Sequence, residues 1–252
     1  MGAKHFLIQG GLHGNETLTT HFVNWLMHRV RSGQSPLNRL PAGSVIDFLP
    51  KANPDAYGQS RYNANQVNLN RNFGVLWGLS TEPHGEKPFS EPETKALKDL
   101  MERRRYLAAV DVHGYTNWIV VPSPPELLSQ RTHHLGRLYH KWHKTVEQHA
   151  KLLPNYKVKQ AGLLGDGGAF EDWAFWSNQT LSLCLEMMAD QRFVPVEETT
   201  GARKHIDSFH RYEKFIATMF HQALHLKTRR LASSDTKPPH PKQAKTPPKV
   251  SH

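Results

Sequence analysis

The stretch HFLIQGGLHGNETLTTHFVNWLMHRVRSG, His5–Gly33, reads as a strand, a glycine-rich turn and a helix. HFLIQ is a short apolar run of strand character. TLTTHFVNWLMHRVRSG brings Leu18, Phe22, Trp25, Leu26 and Val30 near one helical face, and Gly33 is its stop signal. The turn between them, GGLHGNE at Gly10–Glu16, sets a histidine and a glutamate where the strand runs out. The same alternation continues along the chain. SVIDFLP reads as a second strand, and SEPETKALKDLMERRR as a helix opened by a capping box of Ser90 and Glu93, with Pro92 in its first turn. YLAAVDV reads as a buried strand ending at His113, residues 126–151 as a helix, and TLSLCLEMM as another buried strand. ARKHIDSFHRYEKFIATMFHQALHLK closes the series as an amphipathic helix, with Ile206, Phe209, Tyr212, Phe215 and Phe220 near its apolar side. Strands alternating with helices predict an α/β layer architecture.

Composition bounds the rest. With 252 residues, 38% of them hydrophobic, the chain is long enough for one good-sized core. We expect a single domain over residues 1–230 and a disordered Pro/Lys-rich basic tail over 231–252. No apolar run approaches the roughly 18 residues of a membrane helix. The N-terminal MGAKHFLIQGG is too short in apolar residues for a secretory signal. The chain as given is therefore expected in the cytoplasm, or in the periplasm or outside the cell if a leader was removed. A single cysteine, Cys184, excludes an internal disulfide and reads as a small core residue. Of the formal charge of +10, the final SSDTKPPHPKQAKTPPKVSH supplies +3. That balance biases the surface toward anions, but no nucleic-acid motif accompanies it, so no specific nucleic-acid partner is expected.

The chemistry concentrates at strand ends. A catalytic zinc takes three protein ligands and leaves one position open for water. His13 and Glu16 offer two ligands at a strand-to-helix turn, and His113 in VDVHGY offers a third at the end of another strand, where open α/β sheets place their sites. Between these motifs, residues 51–89 are polar and show little periodic structure. A loop of that length inside a compact domain is usually functional. Its core, NPDAYGQSRYNANQVNLNRNF at residues 53–73, sets Arg61 and Arg71 among asparagines with no evident apolar anchor. Guanidinium groups beside an amide suit the grip of a carboxylate. Glu186 ends an otherwise apolar run, and a carboxylate within such a strand would be costly without a partner.

GGLHGNE, NPDAYGQSRYNANQVNLNRNF, FSEPET, DVHG and GAFEDWAFW…LSLCLEM occur in an order that resembles the zinc carboxypeptidases of the carboxypeptidase A-like family, over about residues 5–190. The resemblance implies a single mixed twisted sheet with helices on both faces. It implies one Zn2+ held by His13, Glu16 and His113, and a peptide substrate with a free C-terminal carboxylate. Asn70 and Arg71 would grip that carboxylate, Arg61 would polarise the scissile carbonyl, and Glu186 would be the catalytic glutamate. Glu171, just before Asp172, either forms the base of the side-chain pocket or is a surface residue beside a loop. In the pocket it would favour lysine, arginine or diaminopimelate ends, as in cell-wall-type peptides. Asp166 could take the same part.

Three departures from the family pattern stand out. Asn68 replaces the aspartate that usually orients the first histidine ligand. No tyrosine occupies the place of the mobile one, near Leu164, although Tyr115 or Tyr156 could substitute. Only twelve residues precede His13. GGLHGNE also resembles the aspartoacylase and succinylglutamate desuccinylase group, which cleaves N-acyl amino acids, and a catalytically impaired carboxypeptidase-like binding module is the other alternative.

Overall fold

The computed structural model describes residues 3–128, 134–188 and 206–233, with side chains for all of these except 163–164, 206 and 227–233. Six strands form one sheet: β1 (Lys4–Gly10), β2 (Ser44–Leu49), β3 (Ala108–Gly114), β4 (Trp118–Val121), β5 (Lys157–Gln160) and β6 (Leu181–Met187). Their spatial order is β2-β1-β3-β6-β4-β5. The first four run parallel, and β4 pairs antiparallel with β6 and parallel with β5, so the sheet is mixed. Among the described residues, five α-helices connect and cover it: α1 (Thr17–Arg31), α2 (Pro92–Arg104), α3 (Gly136–Ala150), α4 (Phe170–Trp176) and α5 (Ile206–Ser233).

Strand periodicity decides what faces where. On β3, Ala108, Val110 and Val112 join one core cluster with Phe6 and Ile8 of β1, Leu183 and Leu185 of β6, and side chains of α1, α3 and α5. Ala109 and Leu7 face the other way, into a second cluster with Leu97 and Met101 of α2 and Phe170 and Trp173 of α4. The sheet is therefore packed on both sides, and burying each large apolar side chain contributes roughly 1.5–3 kcal/mol. Asp111 and His113 share the α2/α4 side of β3 with Ala109, by the two-residue alternation of strands. On that side of β6, Ser182, Cys184 and Glu186 alternate with the apolar residues opposite.

Several expectations need correction. The capping box of α2 does not form: Glu91 is the N-cap, without a side-chain cap bond, and the Ser90 hydroxyl donates to Glu91 Oε1 at 2.6 Å. Asn72 takes over the anchoring role, since its Oδ1 accepts from Glu91 N and Thr94 Oγ1. The helix expected over 126–151 starts only at Gly136, after a 3-10 turn at Pro125–Leu127. The loop 51–89 is irregular as expected, apart from a 3-10 turn at Leu69–Arg71. It does have apolar anchors, because Ala56, Val67, Leu69 and Phe73 are buried. Phe73 stacks on Trp173 with ring centroids 5.5 Å apart. The closing helix runs through Ser233, since no glycine or proline intervenes before Pro238, and so enters the segment expected to be disordered. The rest of that tail, and the Ile206 side chain, lie outside the described residues. Among those described, no helix is long and apolar enough to cross a membrane.

Candidate metal centre

The turn after β1 is built on glycines that leave little room for a side chain. Gly11 holds φ at +67°, and a Cβ on Gly14 would lie 2.3 Å from Ala56 O. This close approach seats the turn on the following loop, where Gly58 N donates to Gly14 O at 2.8 Å. Glu16 stands at the N-cap of α1 but makes no side-chain cap bond. Its carboxylate turns instead to the histidines. Oε1 lies 2.8 Å from His13 Nδ1, and Oε2 lies 3.2 Å from His113 Nδ1 and accepts from Gly114 N at 3.0 Å. The two Nδ1 atoms are 3.0 Å apart.

The outer nitrogens explain why these atoms converge. His13 Nε2 lies 2.9 Å from Asn68 Oδ1, which also accepts from Asn70 N at 3.0 Å. Oxygen rather than nitrogen of the amide therefore faces the imidazole, and His13 carries its proton on Nε2. His113 Nε2 donates in the same way to Asp111 Oδ2 at 2.9 Å. With both Nε2 atoms committed as donors, the Nδ1 atoms turn inward toward a carboxylate. Such a set needs a positive species at its centre. Zinc–nitrogen bonds of about 2.0–2.1 Å imply tetrahedral edges of about 3.3 Å, close to the spacings observed. All three ligand atoms lie within 4.8 Å of one another on fully buried residues, so the donor set fits a zinc ion.

Ionisation tells the same story. Burial lowers His13, with Glu16 opposing. Burial also acts against a charged His113, yet Asp111 and Glu16 outweigh it and raise the imidazole well above its ordinary value. Burial disfavours the Glu16 carboxylate, but the two histidines hold it far below the usual range.

Glu186 is the register partner of His113 on the neighbouring parallel strand, so the two share one side of the sheet. Its Oε2 is buried without a hydrogen-bond partner. Burial raises its carboxyl to about 7, the histidine and Arg61 opposing and Glu16 adding to the rise. Arg61 Nη1 lies 3.1 Å from His13 Nδ1 and 3.4 Å from Glu16 Oε1, and its Nε donates to Glu82 Oε2 at 3.1 Å. Arg71 is buried and pairs with Asp166 and, at 3.2 Å, with Glu82 Oε1. Asn70 Oδ1 accepts from Phe170 N at 2.8 Å, tying the loop to α4.

Glu171 is 2% exposed, which excludes the surface alternative. Burial, then the neighbouring Asp172 and Asp111, push its carboxyl well above the ordinary range. Asp166 is raised by burial against the pull of Arg71. Tyr156 does not stand in for a mobile tyrosine: its hydroxyl bonds to Glu186 O, Met188 N and the Tyr212 hydroxyl. The Tyr115 hydroxyl accepts from Leu18 N at 3.4 Å. The Leu164 side chain lies outside the described residues. Two residues at the site escaped the sequence reading. Asp111 stands two positions before His113 on the same strand face, a signal the alternation carried. Glu82 lies in a non-periodic stretch that carried none.

The sequence model of the zinc carboxypeptidase family matches residues 1–207. Carboxypeptidase O of Bos taurus is 27% identical over 195 residues, 65% of this chain and 52% of that protein. An inactive metallocarboxypeptidase, ECM14 of Ajellomyces capsulatus, is 29% identical over 159 residues, 50% of this chain and 26% of that one. The chain thus spans about half or less of the length of these relatives. Among solved structures, carboxypeptidase A from Helicoverpa armigera superposes with a TM-score of 0.63 at 20% identity, covering 93% of this chain and 63% of that one.

Proposed function

The chain belongs to the zinc carboxypeptidase family, and from that membership we propose that it is a zinc-dependent metallocarboxypeptidase that removes the C-terminal residue of a peptide. The observation that carries the reading is the inward convergence of His13 Nδ1, His113 Nδ1 and the Glu16 carboxylate, with both outer nitrogens held by acceptors. These three residues would hold the ion. A bound zinc supplies Lewis acidity and lowers the pKa of a water toward about 7.

The chain's own groups supply the rest. Glu186, raised by burial to about 7, takes a proton from the attacking water and returns it to the leaving amine. Arg61 lies beside the ligands and offers N–H donors to a developing oxyanion. Arg71, with Asn70, binds the substrate carboxylate, which must displace Asp166 or share the guanidinium with it. Glu171 would form the base of the side-chain pocket and select a cationic end such as lysine, arginine or diaminopimelate, with Asp166 the alternative for that part.

The test is a mass-spectrometric panel. Peptides ending in lysine, arginine, diaminopimelate, glutamate and apolar residues are incubated with zinc-loaded protein beside N-acyl amino acids, with and without chelator. Chelator-sensitive loss of one C-terminal residue supports the proposal, whereas deacylation without trimming moves the chain to amidohydrolase chemistry. Zinc uptake with no turnover of any peptide would make it a binding module.

A further inference from the structure

Glu82 touches no metal ligand, yet it is joined to one through a single amide. Its Oε2 accepts from Asn68 Nδ2 at 2.8 Å, while Asn68 Oδ1 faces His13 Nε2 at 2.9 Å. Asn68 is completely buried, and its contacts with Asn70 N and Glu82 fix which end of the amide faces which neighbour. Glu82 is itself held from the other side by two guanidiniums, Arg61 on Oε2 at 3.1 Å and Arg71 on Oε1 at 3.2 Å. Burial disfavours its charge, but Arg61, Asn68 and Arg71 more than offset this and keep it ionised. The two histidines are thus supported unequally: His113 has a carboxylate directly on its imidazole, and His13 has one at a remove.

We propose that Glu82 is a positioning residue of the metal centre, its negative charge reaching His13 through the Asn68 amide in place of a carboxylate set directly against the imidazole. The inference rests on the reading of His13, Glu16 and His113 as metal ligands. A carboxylate at the nitrogen end of an amide polarises it and strengthens its oxygen as an acceptor. A stronger acceptor on Nε2 makes Nδ1 a better donor to a metal. Glu82 also explains how an asparagine is tolerated at position 68. A second carboxylate there would meet Glu82 as a like charge with no proton between them.

A double-mutant cycle in zinc affinity tests this, measured by competition with a chromophoric chelator on the full chain, with circular dichroism to verify folding. The variants are Glu82→Gln, Asn68→Asp and the two combined. We expect Glu82→Gln to bind zinc roughly tenfold more weakly. Asn68→Asp alone should bind no more tightly than wild type, and the combination should regain affinity to within about threefold of wild type, as expected if it restores a direct carboxylate on His13. An unchanged Glu82→Gln affinity would overturn the proposal, as would a double variant as weak as Glu82→Gln, which would mark Glu82 as merely structural. Should Glu82→Gln fail to fold, Asn68→Asp decides alone, because a silent Glu82 predicts tighter binding there. Failure of wild type to take up zinc is a separate result: it removes the metal-centre reading and this inference together.

Discussion

Asp111 Oδ2 accepts the Nε2 proton of His113 at 2.9 Å, from two residues earlier on the same strand. The strand repeat points both side chains to one face, so backbone geometry alone keeps the pair in contact. Asp111→Asn keeps the shape and removes the charge. Zinc affinity should fall by about 10- to 100-fold with little change in fold. Isothermal titration with zinc checks this, and an affinity equal to wild type would deny Asp111 its orienting role.

Glu186→Gln should leave zinc binding intact and abolish turnover, with kcat down by at least about a hundredfold. Single-turnover assays on zinc-loaded protein, with metal content measured in parallel, separate the two. Joint loss of zinc and activity would instead make Glu186 part of the metal cage.

On the proposed mechanism the same residue should set the acid limb of activity. A general base works deprotonated, so kcat/KM falls as pH drops through its pKa. Burial holds Glu186 at about 7 in the metal-free site, and an added cation beside it favours the carboxylate. The limb in the loaded enzyme therefore lies at or below about pH 7. A pH profile of kcat/KM locates it, and a limb above that value assigns the proton transfer elsewhere.

Much of this was legible in the chain and some was not. β1, β3 and β6 announce themselves because central parallel strands are apolar on both faces, and His113 and Glu186 at their ends become conspicuous, although Asp111 two positions before His113 was passed over. β4 and β5 went unseen because WIVV and KVKQ are four residues each, and KVKQ is polar at an exposed edge. α4 was hidden because FEDWAFW is buried on every side and shows no helical period. The cluster of His13, Glu16 and His113 was readable from spacing only together with the family resemblance, and the structure brings the three side chains together. The partners of Arg71 were not readable, since Glu82 and Asp166 reach it from loops whose course only tertiary contacts decide.

Glu171→Leu should move the preferred terminus from cationic to apolar. Burial raises the Glu171 carboxyl, and a cationic end beside it would favour the ionised form. KM for lysine-ended peptides should therefore fall as pH rises, while KM for leucine-ended peptides should show no such trend. Matched KM profiles for the two peptides, in wild type and variant, decide the assignment.

Gly14→Ala should destabilise the fold by roughly 1–3 kcal/mol, since the added carbon would collide with Ala56 O at 2.3 Å. Chemical denaturation of the metal-free protein measures the cost without interference from zinc. No loss of stability would mean that the turn and the following loop separate freely.

His13 and His113 lie one hundred positions apart, and the chain's single cysteine allows it no internal disulfide. An ion gripped by both histidines would be the molecule's cross-link, closing a long loop and limiting how far an unfolding chain can wander. Zinc would then act as a fastener as well as a reagent. Starving the protein of it would shorten its lifetime against proteases as well as silencing it.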